Sequence, residues 1–504
     1  MDALDPTSPS ARRPAPSLRL ATPAGRWLVA VCVLGSGIAF IDGTVVNAAL
    51  PSIADDLGAD LAALQWVVTG YLLTLSAFVV LGGSLGDRYG RKRVFMIGLG
   101  AFALTSLLCA VAPTVTFLIG ARLVQGMAAA LLLPSSLALI SASFAAEDRG
   151  AAIGSWSGLG GIAGAIGPFL GGWLISAVSW RAVFLINVPL CAIALVLAQV
   201  HVPETLDDEA PAHLDLLGAS SLAIGLGGVV YALIEGPASG WTTVTVAAVA
   251  AGALCLVAFV AIERFSSHPM VPLDLFTSRQ FSGANATTLF VYASLGATTF
   301  FVVVYLQTSL GYSPLAAGAA FLPLTIFMLL LSARAGALAQ RIGPRWPMTI
   351  GSLVVAVGVA LFVRVQPGVS YVAGVLPATV VLGLGLTLTV APLTTAVLAA
   401  VSDNHAGVGS AVNNAVARIG ALLAVAVLPA AAGLTDETGA LDLADGFTRG
   451  MLLAAGLALI GAVVAFLTVR TATPVAEVTV GNVAMVCLDP CVKERTGEPG
   501  SAAA

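Results

Sequence analysis

Long apolar runs separated by short polar connections recur along almost the whole chain. Each run has about the 20 residues that an α-helix needs to cross the hydrocarbon core of a bilayer. The runs cover residues 27–50, 66–85, 94–112, 116–138, 150–176, 181–200, 214–235, 244–263, 284–307, 314–335, 347–365, 371–393, 406–431 and 448–470. The pattern therefore predicts fourteen membrane-crossing helices.

Hydrocarbon offers no partners for free backbone groups, so a spanning segment must be a helix or part of a closed barrel. Barrel strands would alternate apolar and polar residues, whereas these runs are continuously apolar. Of the 504 residues, 58% are hydrophobic and only 10% are charged, which is too little polar surface to coat a water-soluble globule. The sequence thus predicts an all-α polytopic membrane protein.

The positions of Lys and Arg indicate the orientation, because cytoplasmic loops are enriched in both residues. If the N-terminus lies inside, the inner connections contain most of these cations, namely Arg88, Arg91, Lys92, Arg93, Arg149, Arg264, Arg279, Arg341 and Arg345. The outer connections contain only Arg181, Arg364 and Arg449. An even number of spans then places both termini in the cytoplasm, as expected for a multi-pass protein of the plasma membrane.

Two longer inner connections, at residues 201–213 and 263–281, bracket the seventh and eighth runs. This spacing predicts six helices, two linking helices and six further helices. The predicted units are an N-terminal half at 27–200, a linker region at 201–283 and a C-terminal half at 284–470.

The two ends of the chain are predicted to be cytoplasmic tails, residues 1–26 and 471–504. The second tail is polar and contains Gly and Pro, so we expect it to be disordered. Its Cys487 and Cys491 are consistent with an inert tail, with lipidation or with metal binding.

A glycine-rich basic segment, Gly82 to Arg93, connects the second and third runs. Glycines allow helix ends to approach closely and turn tightly, and Asp87 can pair with a nearby arginine. Such a segment can latch one conformation and release it in another. The alternative is a positive-inside anchor without a conformational role. The latch residues would be Gly83, Gly86, Asp87, Arg88, Gly90 and Arg91.

Two ionisable residues, Asp42 and Arg122, lie inside predicted spans, where such groups are costly and are functional candidates. At 1.5 Å per residue, Asp42 lies roughly 22 Å from the inner end of its helix and Arg122 roughly 9 Å from the outer end of its own. In a hydrocarbon core of about 30 Å these depths coincide. The pair is either a proton switch or a permanent lock between the first and fourth helices.

Other polar and aromatic residues inside the spans are candidates for a substrate cavity that accepts an aromatic or cationic compound. For each of them, helix packing or an interfacial position is the alternative. The candidates are Asn47, Trp66, Tyr71, Gln125, Asn285, Tyr305, Gln307, Asn413, Asn414 and Arg418. In the fifth run, Pro168 invites a bend, and Gly167, Gly171 and Gly172 allow close packing that could seal the outer side of such a cavity.

The segment Gly82 to Arg93 resembles the signature between helices two and three of the major facilitator superfamily. Three further segments are similar to motifs of its fourteen-span drug:proton antiporters of the EmrB/QacA type: Phe40 to Pro51, Leu118 to Ala130, and Gly167 to Gly172. Two positions depart from the motifs, Ala128 and Ala163, where glycine is usual. The resemblance spans nearly all of residues 27–470. It implies the major facilitator fold, a coupling role for Asp42 and Arg122, and an antiporter role for the Gly-Pro segment.

The favoured hypothesis is therefore a proton-coupled exporter of small amphipathic compounds, for example a drug or antibiotic. A proton-coupled importer of a small metabolite is the alternative. A membrane enzyme, an ATP-driven pump or a sensor is disfavoured, because the sequence has no phosphate-binding loop and no long hydrophilic domain. We expect no cofactor or metal, a proton gradient as the energy source, no nucleic-acid partner, and a monomer in the lipid bilayer.

Overall fold

The computed structural model describes residues 18–206, 215–266, 269–401, 406–434 and 440–470. The two predicted tails, apart from residues 18–26, and the cysteines at 487 and 491 lie outside the described residues. Within the described ranges, fourteen helical segments are long and apolar enough to cross a membrane. The prediction of an all-α polytopic fold is confirmed.

The first half of the chain forms helices α1 to α7. Their bounds are α1 Pro23–Leu57, α2 Leu61–Tyr89, α3 Arg91–Ala110, α4 Val115–Ser143, α5 Ala146–Ala177, α6 Ala182–Leu185 and α7 Asn187–His201. The short α6 and the longer α7 make up one candidate span. Pro189 lacks the N–H that would continue the hydrogen-bonding pattern across this break.

Two further helices, α8 Leu216–Ser239 and α9 Thr243–Phe265, pack against each other as a hairpin. Helix α8 also contacts α2 and the later helix α15 Ala406–Ala431. Helix α9 exposes large apolar side chains, with Leu254 69% and Val257 67% accessible. In a protein of this composition, such a face is expected to contact lipid.

The remaining part of the chain forms α10 to α16, together with short 3₁₀ helices at Leu273–Thr277 and Phe362–Arg364. The other bounds are α10 Arg279–Thr308, α11 Pro314–Ala319, α12 Leu322–Ile342, α13 Arg345–Leu361, α14 Val375–Leu398 and α16 Ala440–Thr468. Helices α11 and α12 form one candidate span. Pro323 follows the break between them and cannot donate a backbone hydrogen bond.

Close helix contacts depend on glycines. A Cβ atom at Gly82 of α2 would overlap the backbone of Ala130 in α4, and one at Gly126 of α4 would overlap the backbone of Tyr71 in α2. Small residues at such crossings let two helix backbones approach closely, which drives packing where no hydrophobic effect operates between helices.

We define the basic end of the helix bundle by the α2–α3 connection at Gly90, and the acidic end by Asp55, Asp56 and Asp60 at the α1–α2 connection. At the acidic end, the first and second halves contact each other directly. Gln65 of α2 donates to the Val425 carbonyl of α15 at 2.7 Å. The acidic end is therefore held closed by contacts between the halves.

Candidate functional site

An ion pair between Asp42 of α1 and Arg122 of α4 lies deep inside the first half. The Arg122 Nη1 donates to the Asp42 carboxylate, and the two side chains are 1% and 0% exposed, respectively. The structure thus brings the two candidate coupling residues into direct contact, in a place sealed from solvent in this conformation.

Three more polar side chains complete this cluster. Gln125 donates to the Asp42 carboxylate at 3.1 Å and accepts from Arg122 at 2.7 Å. Asn187 of α7 donates to the same carboxylate at 2.8 Å, and Ser106 of α3 accepts from Gln125 at 2.8 Å. Gln125 was a cavity candidate, whereas Asn187 and Ser106 were not identified from the sequence. Only their polarity inside apolar spans could have marked them.

The Arg122 guanidinium has further partners apart from Asp42. Its Nε donates to the Val67 carbonyl at 3.1 Å, and its Cζ lies 4.3 Å from the centre of the Tyr71 ring. The Tyr71 hydroxyl donates to the Ala39 carbonyl of α1 at 2.9 Å. Tyr71 is therefore placed by the structure beside the ion pair, where it links α2 to both α1 and α4.

The basic connection between α2 and α3 contains the latch candidates. Arg91 pairs with Asp87 at 2.7 Å, and Gly90 has φ 104°, a backbone conformation that favours glycine. Gly83 and Gly86 face α4, where an added Cβ would lie 3.4 Å from Pro134 and 3.2 Å from Ser135. The Arg88 guanidinium lies 5.3 Å from the Tyr89 ring centre.

A segment that the sequence did not indicate holds this connection. Glu204, beyond the end of α7, accepts a hydrogen bond from the Lys92 backbone N–H at 3.0 Å. The Thr205 carbonyl accepts one from the Arg91 N–H at 3.0 Å. The basic connection is thereby tied to the end of the sixth span.

The glycines around Pro168 lie at two helix crossings. A Cβ at Gly171 would lie 2.7 Å from Val45 of α1, and one at Gly167 would lie 3.1 Å from the Ile41 carbonyl. On the other side, a Cβ at Gly172 would lie 2.8 Å from the Cα of Leu315 in α11. Helix α5 therefore packs tightly on its own half and, near the acidic end, on the second half.

The remaining cavity candidates mostly take part in contacts within or between helices. Trp66 donates to Glu235 of α8 at 3.0 Å, and Gln307 of α10 donates to the Ala48 carbonyl of α1 at 3.1 Å. Tyr305 stacks on Phe447 with ring centres 4.0 Å apart.

The asparagine candidates form hydrogen bonds within or between helices. Asn413 donates to Asn285 at 3.1 Å and so joins α15 to α10. Asn414 and Asn47 donate to carbonyls in their own helices, those of Ser410 and Thr44. The lining of a substrate cavity by these residues stays a prediction.

Arg418 is different from these candidates, because it faces the other half. It lies near the middle of α15, its Cζ is 5.4 Å from the centre of the Phe40 ring on α1, and its side chain is half-buried. The structure thus places a guanidinium between the two halves at about mid-depth.

Comparison with known proteins gives relatives over most of the chain. The multidrug resistance protein Stp of Mycobacterium tuberculosis is 35% identical over 397 residues, which cover 78% of this chain and 73% of that protein. The puromycin resistance protein of Streptomyces alboniger is 34% identical over 471 residues, covering 90% and 93%. The tetracenomycin C resistance and export protein of Streptomyces glaucescens is 34% identical over 432 residues, covering 84% and 78%.

Solved structures show the same fold. A bacterial homologue of the human lysosomal transporter Spinster, in an inward-facing and unoccupied conformation, matches with a TM-score of 0.63 at 18% identity, covering 89% of this chain and 97% of that one. The family model of the Major Facilitator Superfamily matches residues 32–425. The chain therefore belongs to the Major Facilitator Superfamily, a family of membrane transporters.

Proposed function

We propose that this protein is a proton-coupled exporter of small amphipathic compounds that works by alternating access between its two halves. The sealed ion pair of Asp42 and Arg122 is the observation that carries the proposal, because an ionisable pair at membrane depth is costly and rarely serves packing alone. The resistance and export functions in the relatives' names support a drug or antibiotic as cargo.

Asp42 can act as the proton carrier because Arg122 has other hydrogen-bond acceptors when the pair opens. A proton on Asp42 removes the negative charge and weakens the ion pair. Arg122 then keeps the Val67 carbonyl and the Gln125 side-chain oxygen as acceptors. The guanidinium is therefore not left without partners, which would otherwise be strongly destabilising.

The coupling of proton binding to helix movement follows from the restricted access to Asp42. Both the carboxylate and the guanidinium are inaccessible to solvent in this conformation. A proton therefore reaches Asp42 only when the helices around the pair move. Helix α1 contributes Asp42 and also packs on α5 and α10. A change in the ion pair is thus transmitted to the helices that close the acidic end.

The orientation gives the direction of transport. The acidic end is closed by contacts of α5 with α11 and of α2 with α15. The positive-inside rule places the basic end and both termini in the cytoplasm. With the outer end closed, a compound would enter from the cytoplasm and would leave to the outside of the plasma membrane after the halves rearrange. A monomer with no cofactor suffices for this cycle.

Uptake into everted membrane vesicles tests the proposal, using a strain without its own exporters and a panel of antibiotics and dyes. We expect at least one compound to accumulate when the vesicle interior is acidified, and accumulation to stop when a protonophore collapses the gradient. Asp42→Asn should abolish accumulation, and Asp55→Asn, an exposed aspartate at the end of the same helix, should not.

Protonation neutralises Asp42 in only part of the cycle, whereas Asp42→Asn leaves the Arg122 cation without a counter-ion in every conformation, so the variant can fail to fold. The double variant Asp42→Asn with Arg122→Gln removes both charges and should fold, equilibrate the compound down its gradient, and fail to concentrate it. Full gradient-driven accumulation by either variant would contradict Asp42 as the proton carrier.

A further inference from the structure

Three charged side chains lie at about mid-depth near α1, α4 and α15 in the part of the chain that the structure describes: Asp42, Arg122 and Arg418. The first two neutralise each other, and the Asp42 carboxylate is also occupied by Gln125 and Asn187. Arg418 forms no ion pair with any described carboxylate, and its Nε has no hydrogen-bond partner there. The interior therefore holds one positive charge that the described protein does not balance.

This charge is permanent. A guanidinium is not deprotonated in proteins, and Arg418 lies 12 residues after the start of α15 and 13 before its end, or about 18 Å from either end. The side chain is therefore too deep for its charged group to reach the bilayer surface readily. An anion bound at this position would neutralise the fixed cation.

Packing between α15 and α10 does not explain the arginine at position 418. Asn413 and Gly420 are seven residues apart and so lie on one face of α15, and that face contacts α10 at Asn285 and Leu289. Arg418 lies five residues after Asn413, which is about 140° around the helix. The face that carries the guanidinium is thus turned from the α10 contact towards Phe40 of the other half.

The surroundings of the guanidinium suit a flat acidic molecule. The Phe40 ring lies 5.4 Å from its Cζ, and Phe40 is only partly buried. Aromatic rings offer stacking surfaces to a planar ligand, and arginine binds a carboxylate or a sulfonate-like group through its planar fork of N–H donors. A cationic ligand would meet an unscreened like charge.

From this arrangement we infer that the protein selects acidic aromatic substrates, whose anionic group binds Arg418 between the two halves. The inference rests on the proposed function and gives its substrate class. The sequence left cationic compounds as an option for the cavity. The inference favours anionic compounds instead, because the charge left unbalanced in the interior is positive.

Binding of three pyrene derivatives to the full-length protein tests the inference. Pyrenesulfonate, pyrenemethanol and a pyrenemethyl trimethylammonium salt share one ring system and carry fixed negative, zero and positive charge. The protein is placed in nanodiscs of phosphatidylcholine, so that no anionic lipid competes, and fluorescence anisotropy is corrected with empty nanodiscs. We expect the wild-type protein to bind the sulfonate about tenfold or more tightly than the cation, as for a charge-assisted hydrogen bond.

Arg418→Gln should weaken sulfonate binding by about tenfold or more and leave pyrenemethanol binding unchanged. Arg418→Lys should retain most of the preference, and Arg364→Gln, an exposed arginine at the acidic end, should retain all of it.

Equal affinity of the wild-type protein for the sulfonate and the cation would overturn the inference whether or not the variants fold. An equal loss of all three ligands in Arg418→Gln would also overturn it. The assay uses no gradient, so failure of proton coupling would leave its result intact.

Discussion

At Gly126, one missing methyl group determines how closely α4 approaches α2. The space that a Cβ would occupy is taken by the Tyr71 and Leu75 backbone, with the Leu75 nitrogen 3.1 Å away. Gly126→Ala must therefore push the helices apart or distort them. We expect the free energy of unfolding to fall by about 1–3 kcal/mol, as for overpacked sites.

The measurement for Gly126→Ala is the apparent Tm of the detergent-solubilised protein, together with unfolding by SDS. Gly120→Ala is the matched control, because it lies on the same helix with no atom within 4 Å of an added Cβ. Gly120→Ala should be neutral or slightly stabilising, since alanine favours the helix. If the two variants had the same Tm, the close crossing of α2 and α4 would not limit stability.

Residue types and depth along a helix can be deduced from sequence, but side-chain direction around the helix cannot. The depths predicted for Asp42 and Arg122 coincide, and the structure places the two side chains in contact. The donors Gln125 and Asn187 reach the same carboxylate because α4 and α7 are rotated towards it. That rotation depends on packing among five helices, which no local pattern specifies.

At the scale of helices, the apolar runs predicted each spanning segment, because the length needed to cross a bilayer is a local property. The predicted ends differ from the observed ones where helices extend beyond the hydrocarbon core. Helix α1 continues past the predicted residue 50 to Leu57, through Pro51 and the polar residues Asp55 and Asp56. The end of a helix depends on its cap, here Gly58 in the left-handed conformation, and not on hydropathy.

The crossing of α5 and α11 gives a prediction at this scale. Gly172 meets the backbone of Pro314 and Leu315, and Gly318 of α11 would place a Cβ 3.0 Å from the Phe169 Cα. Both glycines lie between the halves near the acidic end. Gly172→Leu should therefore separate α5 from α11 and shift the protein away from the conformation closed at that end.

The shift is measured as a distance distribution between spin labels at Val178 and Thr308, exposed positions at the acidic ends of α5 and α10. The native cysteines are first replaced. We expect longer distances in Gly172→Leu, and an unchanged distribution in Gly154→Leu, where α5 has open space. An unchanged distribution in both variants would mean that this crossing does not hold the acidic end closed.

At the scale of the whole molecule, the two charged sites lie next to each other across the contact between the halves. Asp42 and Phe40 are on the same helix, Tyr71 stacks on Arg122, and Arg418 lies over Phe40. Helix α1 therefore carries the proposed proton carrier, Asp42, and contacts the inferred anion site through Phe40, two residues earlier. A sequence alone could not place α15 of the second half over α1 of the first, because their contact joins residues almost 380 positions apart.

The proposed exchange of a proton for an acidic substrate would make the membrane potential a strong driving force. One proton moving in and one monovalent anion moving out both carry positive charge inward, so 100 mV contributes about 4.6 kcal/mol, at about 2.3 kcal/mol per charge. Exchange of a proton for a monovalent cation is electrically neutral and gains nothing from the potential.

In proteoliposomes with equal pH on both sides, a valinomycin-induced potassium potential should therefore drive pyrenesulfonate transport, but not transport of the trimethylammonium analogue. Liposomes without protein correct for passive leakage. Equal rates of pyrenesulfonate transport with and without the potential would show that the cycle does not combine an inward proton with an outward anion.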